Sequence, residues 1–339
     1  MSSSVTLAVD AMGGDHGYPV VIPAVLLALK EDQQLRVFLV GDETCLNAEL
    51  VKQKAAFAGQ QNLKERLTVV HAAESIAMNE PASQALRSKK QSSIHVALGL
   101  VRDGAADGCV SAGNTGALMA ISWHTLKTID PIERPAILAR IPRSGGYTLL
   151  LDAGANVESH AERLHQFALM GAAAMTVLQG VSHPKVGLLN IGVEENKGND
   201  RVKLANELLR CDERVNYVGY VEGNDVFSDR ADVVVCDGFV GNIVLKTSEG
   251  MARFLLNQFQ MLAKQRWSSR FLLWCLKPLL KRTLKTLDPG YYNGASLIGI
   301  RGVVVKSHGA ANATEFVRAI QLAASEARAG VPSAIESLL

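Results

Sequence analysis

Small and polar residues recur in short clusters along this chain, and each cluster follows an apolar run. Five stand out: Ala11-Met12-Gly13-Gly14-Asp15-His16-Gly17, Ala112-Gly113-Asn114-Thr115-Gly116, Ala153-Gly154-Ala155-Asn156, Gly192-Val193-Glu194-Glu195-Asn196-Lys197-Gly198-Asn199 and Asp237-Gly238-Phe239-Val240-Gly241-Asn242. The chemistry these suit is anion binding. Glycine lets backbone N–H groups approach a phosphate with no Cβ in the way. A helix that follows directs its free N–H groups and the positive end of its dipole at the same point. Ser111, Asn114 and Thr115 add side-chain donors. With Asp10, Gly13, Gly14, Asp15, Gly113, Gly116, Asp237 and Gly238 they form the candidate anion-binding set. Any one loop is equally well a tight strand-to-helix turn; five polar versions together argue for a site. The chain has no GxxxxGK[ST] and no GxGxxG with an acid about 20 residues on, so nucleotide binding is not indicated.

Lys197 sits among Asn, Gly and Asp at a strand end, where a lysine neutralises phosphate or a developing oxyanion unless it is only a solvated surface group. Asn242 opens an apolar helix after Gly241. Its amide either caps that helix or reaches a bound carbonyl. Asp10, Asp152 and Asp237 each end a strand, where they orient lysines and glycine amides or cap turns. Other chemistries fare worse. His160 and His165 are the closest of eight histidines, and a five-residue gap does not put them on one helix face, so no metal site is expected. There is no GxSxG elbow. The five cysteines, at 45, 109, 211, 236 and 275, include no CxxC pair and read as reduced thiols. Cys109 and Cys236 lie inside apolar strands, which leaves a covalent acyl-cysteine as a minor alternative.

The elements that must position these residues alternate in type. Strands are expected at Val5–Asp10, Arg36–Val40, Leu67–Val70, Gly108–Ser111, Tyr147–Asp152, Lys185–Ile191, Asp232–Cys236 and Arg301–Val305. Helices are expected at Val20–Leu29, Ser93–Arg102, Gly116–Leu126, Ala161–Leu178, Arg201–Leu209, Asn242–Met261 and Asn312–Arg328. Strand then helix, repeated, predicts an α/β fold with a parallel sheet covered on both faces. All five loops would then share one carboxyl edge, where open sheets bind ligands. A (β/α)8 barrel is the competing topology. The 339 residues, 48% hydrophobic and without repeats or a low-complexity linker, are expected to form one large domain over 1–339.

A net charge of +2 does not suggest a nucleic-acid partner. Met1-Ser2-Ser3-Ser4 lacks the start of a signal peptide, and no uncharged apolar run reaches the roughly 18 residues of a membrane span, which predicts a cytoplasmic protein. The segment 262–290 is different. Lys264, Arg266, Arg270, Lys277, Lys281, Arg282 and Lys285 occur with no acid before Asp288, interleaved with Trp267, Phe271, Trp274 and Leu280. Arg270, Lys277, Lys281 and Lys285 would form one basic stripe on a helix, with a Leu-rich opposite side and Pro278 as a break. This is the pattern of a protruding helix that lies in an anionic membrane surface; a core or dimer-interface helix is the alternative.

Four motifs carry a family likeness: Val9-Asp10-Ala11-Met12-Gly13-Gly14-Asp15, Ser111-Ala112-Gly113-Asn114-Thr115-Gly116-Ala117, Cys236-Asp237-Gly238-Phe239-Val240-Gly241-Asn242 and Lys306-Ser307-His308-Gly309-Ala310-Ala311-Asn312. Over essentially the whole chain the sequence resembles the bacterial phosphate acyltransferases, the acyl-ACP:phosphate transacylases of phospholipid synthesis. The resemblance implies a three-layer α/β/α sandwich with a mostly parallel sheet, related to the phosphotransacetylases and the isocitrate dehydrogenase group. It implies a homodimer that takes a long-chain acyl group from acyl carrier protein and passes it to inorganic phosphate. A membrane acyltransferase would consume the acyl phosphate. The family's catalytic lysine and asparagine correspond to Lys197 and Asn242, His308 joins the substrate-binding set, and no metal or organic cofactor is required. On this reading phosphate attacks the thioester directly, and the protein positions it and stabilises the oxyanion. Two alternatives are a dehydrogenase of the related fold and a non-catalytic peripheral membrane scaffold.

Overall fold

Along Val5–Asp10, Val5, Leu7 and Val9 face one way and Ala8 the other, and all four are buried. A strand buried on both sides needs helices on both sides. The computed structural model describes residues 4–53, 61–265 and 288–339, and the membrane-segment residues Trp267, Phe271, Trp274, Lys277, Leu280, Lys281 and Lys285 lie outside them.

The strands are β1 (Val5–Asp10), β2 (Leu35–Gly41), β3 (Leu67–His71), β4 (Gly108–Ser111), β5 (Ala136–Arg143), β6 (Gly146–Leu151), β7 (Lys185–Leu189), β8 (Asn216–Val221), β9 (Val233–Val235), β10 (Ala295–Ile298) and β11 (Val303–Lys306). They form one 11-stranded sheet in the order β3-β2-β1-β4-β11-β10-β5-β6-β9-β7-β8. The sheet is open, with β3 and β8 at its edges, so it is not a barrel.

In the first half, helices Tyr18–Glu31 and Ala313–Ala329 cover one face, and Ser93–Arg102 and Thr115–Leu126 cover the other. In the second half, Ala161–Gln179, Asp200–Arg210 and Val331–Leu338 pack on one face. The other face meets Val244 and Leu245 of the long helix Gly238–Gln265. The result is the α/β/α sandwich that the sequence led us to expect. Phe167 and Phe316, at 0% and 1% exposure, anchor one core cluster in each half; burial of such a side chain contributes roughly 1.5–3 kcal/mol.

The sheet is mostly parallel, yet it reverses in the middle. β11–β10, β10–β5 and β5–β6 pair antiparallel. Every other neighbouring pair is parallel. Three reversals make β6, β9, β7 and β8 run opposite to β11, β4, β1, β2 and β3. The expectation that all five glycine loops share one carboxyl edge is therefore corrected. The loops after β1 and β4 lie on one edge, and those after β6, β7 and β9 lie on the other.

The reversal is made by two strands absent from the sequence reading. β10 is only four residues long, and β5 carries Pro142 and two arginines, a composition that argues against a central strand. Pro142 is tolerated because β10 pairs only with Ala136–Leu138. Beyond Leu138 that flank of β5 is open.

Candidate active site

Asp10 ends β1 and is fully buried. One carboxyl oxygen accepts N–H bonds from Met12 and Gly13 at 3.1 and 3.2 Å, and the other accepts the Ser111 hydroxyl at 2.6 Å. Ser111 Oγ in turn accepts the Gly113 N–H at 3.0 Å. Asp10 and Ser111 thus lock the first two glycine loops together. A Cβ on Gly13 would stand 2.6 Å from Gly113 N, so only glycine permits this approach. Gly14 has φ +90°, and Asp15 N–H donates to Gly309 O at 2.9 Å, which joins a third loop, that after β11.

Asn114 caps helix Thr115–Leu126 by accepting the Ala117 N–H at 3.0 Å. Its amide donates to Met78 O and Glu80 O at 2.8 and 2.9 Å. Of the three side-chain donors proposed from sequence for an anion, Ser111 and Asn114 are therefore engaged within the protein. Thr115 is exposed and lines a cavity, and Gly116 stands beside it.

That cavity, about 1090 Å³, occupies the open flank of β5. Its floor follows from register. Lys306 pairs with Ala295, and one step beyond the Ser296–Leu138 pair brings Ala139 opposite Ala295. Paired residues share a face, so Lys306, Ala295 and Ala139 form a row beneath the long helix. Both alanines are short, and all three residues line the cavity. Helix Gly238–Gln265 roofs it with Leu245, Lys246 and Glu249, and His308 stands on the loop beyond Lys306.

Burial pulls the Lys306 ammonium down to about 8; Lys246 adds to the effect, while Asp10 and Asp15 oppose it. Burial likewise lowers the His308 imidazole, with Lys246 contributing. The same cavity has an apolar lining that includes Met78, Ile141, Phe227, Met251, Leu255 and Leu256.

The other edge is organised around Asp152, which lies just past the end of β6. Its carboxyl accepts N–H bonds from Ile137, Gly154, Ala155 and Asn156 at 2.7–3.0 Å and the Asn156 amide at 2.9 Å. Burial raises this carboxyl, and the N–H donors oppose the rise. Asp237 caps the long helix by accepting the Val240 N–H at 2.8 Å. The helix begins at Gly238, four residues earlier than expected, so Asn242 is not its cap. A Cβ on Gly238 would lie 2.9 Å from Asp152 Oδ2, and one on Gly241 would overlap Asp152 O. Both glycines let the helix start against the strand end.

Asn242 is exposed beside Gly154 and stands about 6 Å, one helical turn, before Lys246 of the cavity roof. Lys197 is exposed in the loop after β7, on the same edge as Asn242, and its carbonyl accepts from Asn190 Nδ2 at 3.2 Å. Neither side chain lines the cavity. The structure therefore places Thr115 and His308 on the cavity, ties the Gly13-Gly14-Asp15 turn to its lining residue Gly309, and leaves Lys197, Asn242, Asp237 and Gly238 on the opposing edge. Cys109 and Cys236 are buried, which pushes both thiols up and away from the reactive thiolate.

Sequence reasoning named Lys306 only within a family motif, without a role, and did not name Lys246. For Lys306 a signal existed: it closes the fully buried run Val303-Val304-Val305, where a charge needs a reason. Lys246 carried none, because one lysine on a long helix is ordinarily solvated.

The fold has known relatives. The structure resembles a phosphotransacetylase from Staphylococcus aureus (TM-score 0.62, 16% identity, covering 96% of this chain and 94% of that one). It also resembles a 4-hydroxythreonine-4-phosphate dehydrogenase from Salmonella typhimurium (TM-score 0.53, 13% identity, covering 95% and 99%). These likenesses define the fold as that of the phosphotransacetylases and 4-hydroxythreonine-4-phosphate dehydrogenases. Within it, the model of the family described as "Fatty acid synthesis protein" matches residues 5–334, and the chain belongs to that family. Its curated relatives include the phosphate acyltransferases of Halorhodospira halophila (50% identical, covering 99% of this chain and 96% of that one) and Alkalilimnicola ehrlichii (51% identical, covering 100% and 97%). The protein is an acyltransferase enzyme.

Proposed function

We propose that the enzyme moves a long-chain acyl group from acyl carrier protein to inorganic phosphate and releases acyl phosphate for phospholipid synthesis. The observation that carries this reading is the single cavity beside β5. It joins Lys306, Lys246 and His308 to Met251, Leu255 and Leu256, so an anion and a hydrocarbon chain fit one site. Phosphate attacks the thioester carbonyl; the C–O bond forms, the C–S bond breaks, and the thiol leaves with the proton that phosphate gives up. Lys197 and Asn242 are the groups we assign to the oxyanion; they stand outside the cavity, so this assignment requires a second copy to bring their edge to the bound thioester. Asp10, Gly13, Gly14, Asp15, Ser111, Gly113, Asn114, Thr115, Gly116, Asp237, Gly238 and His308 shape the loops that receive the substrates. No cofactor enters this scheme.

We further propose a homodimer. Val157, Ile191, Val193, Phe239 and Ile243 are exposed, from 45% to 82%, and all lie at the carboxyl edge that bears Lys197 and Asn242. A second copy that covers this surface removes it from water. A cytoplasmic enzyme held at the inner membrane face by 262–290 would hand its product to a membrane acyltransferase. Among the described residues no helix is long and apolar enough to cross a membrane.

The test is consumption of acyl-ACP that depends on phosphate, with hydroxylamine trapping of acyl phosphate. Consumption without phosphate, or with free fatty acid as the only product, sinks the reading. Liposome flotation that weakens with salt and in Lys277/Lys281/Lys285→Glu tests the membrane role; unchanged flotation in that variant counts against it.

A further inference from the structure

Lys306 is held in a way that a structural lysine does not require. Its ammonium donates to Ala112 O at 3.1 Å and to Ser307 O, which leaves the third of its N–H donors uncommitted. The register row places it beside Ala295 and Ala139, whose short side chains leave the space above them open. Thr115, at the start of its helix, lines the same space, and so do Gly309 and His308. The groups that face Lys306 come from every element around it. Asp10 at the end of β1 and Asp15 on the loop after it act on its charge, and so does Lys246 of the roof helix. His308 belongs to its own loop, and Glu249 and Arg253 of the roof act on that histidine. Lys246 already has a partner in Glu249 at 3.1 Å.

We propose that Lys306 is a further catalytic residue: its free N–H binds the attacking inorganic phosphate on the cavity floor and holds its charge through attack on the thioester. This assignment deepens the proposed acyl transfer and rests on it for the identity of the attacked group, but not for phosphate binding itself. Ala112 O and Ser307 O fix the ammonium in place, so little side-chain entropy is lost when phosphate arrives. The step balances as RCO–SR′ + HPO4²⁻ → RCO–OPO3²⁻ + R′SH, with Lys306 unchanged at its end.

The charge that does this work is present below about pH 8 and is lost as pH rises through it. In Lys306→Met, the KM for phosphate should rise by about 10-fold or more, the scale of one hydrogen bond to a charged group. Lys306→Arg should keep phosphate KM close to that of the wild type. It should also move the alkaline limb of kcat/KM upward, because a guanidinium does not titrate in this range. A purely structural lysine predicts the opposite pattern: a lowered Tm in Lys306→Met with phosphate KM unchanged, and a limb that stays near 8 in Lys306→Arg. Either result overturns the assignment. Calorimetric titration of the full chain with inorganic phosphate alone separates this inference from the proposed reaction. Phosphate affinity that falls at least 10-fold in Lys306→Met supports it even if acyl-ACP is not the donor. Equal affinity in the two proteins refutes it even if acyl transfer is confirmed.

Discussion

The two carboxyl edges of the sheet are built from the same parts and put them to different ends. Each has a buried aspartate at a strand end, Asp10 or Asp152, a glycine loop gathered by its carboxyl, and a helix that starts nearby. At Asp152 the carboxyl collects five N–H donors, and the helix start is pressed against the strand by Gly238 and Gly241. At Asp10 only two amides and one hydroxyl are collected, and the adjoining floor of Lys306, Ala295 and Ala139 opens into a cavity. The Asp152 turn satisfies itself and is a fastener, and on its edge only the neighbouring loop after β7 and the start of the long helix, which carry Lys197, Asp237, Gly238 and Asn242, are left for chemistry. A turn that stands beside an unfilled space can take a ligand.

Six substitutions sharpen or break that comparison. Asp152→Ala leaves five N–H donors without their acceptor, and we expect about 3–5 kcal/mol of lost stability by denaturant unfolding, from roughly 1–3 kcal/mol for each buried unsatisfied donor with partial relaxation. Asp10→Ala should cost less stability and weaken phosphate affinity more; equal losses in both measurements for the two variants would erase the distinction. Lys197→Ala is expected to lower turnover roughly 100-fold with Tm nearly unchanged, since the side chain is exposed. Near-normal turnover would remove Lys197 from the chemistry.

Gly13→Ala forces a methyl toward Gly113 N and should destabilise by roughly 1–3 kcal/mol while raising phosphate KM. Gly241→Ala, on the fastener edge, should lose stability with phosphate KM intact. The smallest effect is expected at the seam between the halves, where Glu326 is buried and accepts the Ser296 hydroxyl from β10. Burial raises its carboxyl to about 7. The unfolded chain releases that proton near pH 4.3, so the raised value costs stability progressively from there to about pH 7. Glu326→Gln should flatten that part of the stability–pH curve. A curve unchanged by the substitution would show that Glu326 does not titrate there.

Much of this was legible before any coordinates. The eight strands read from apolar runs all exist, because a strand buried on both faces must be written in residues such as Val233-Val234-Val235. The glycine clusters were correctly placed at strand ends. The helix onset at Gly238 was misplaced because Asp237 caps it, while the apolar run that draws the eye begins later.

Sequence alone determined the layers, the family likeness and the chemical character of the loops, since those follow from local pattern and residue type. Only the tertiary structure decided which loops face one another. β5 and β10 are short or proline-bearing and carry almost no local signal, yet their antiparallel pairing reverses half the sheet. Strand direction is set by long-range pairing, and so is the register row that leaves one lysine over two alanines. No window of sequence contains either.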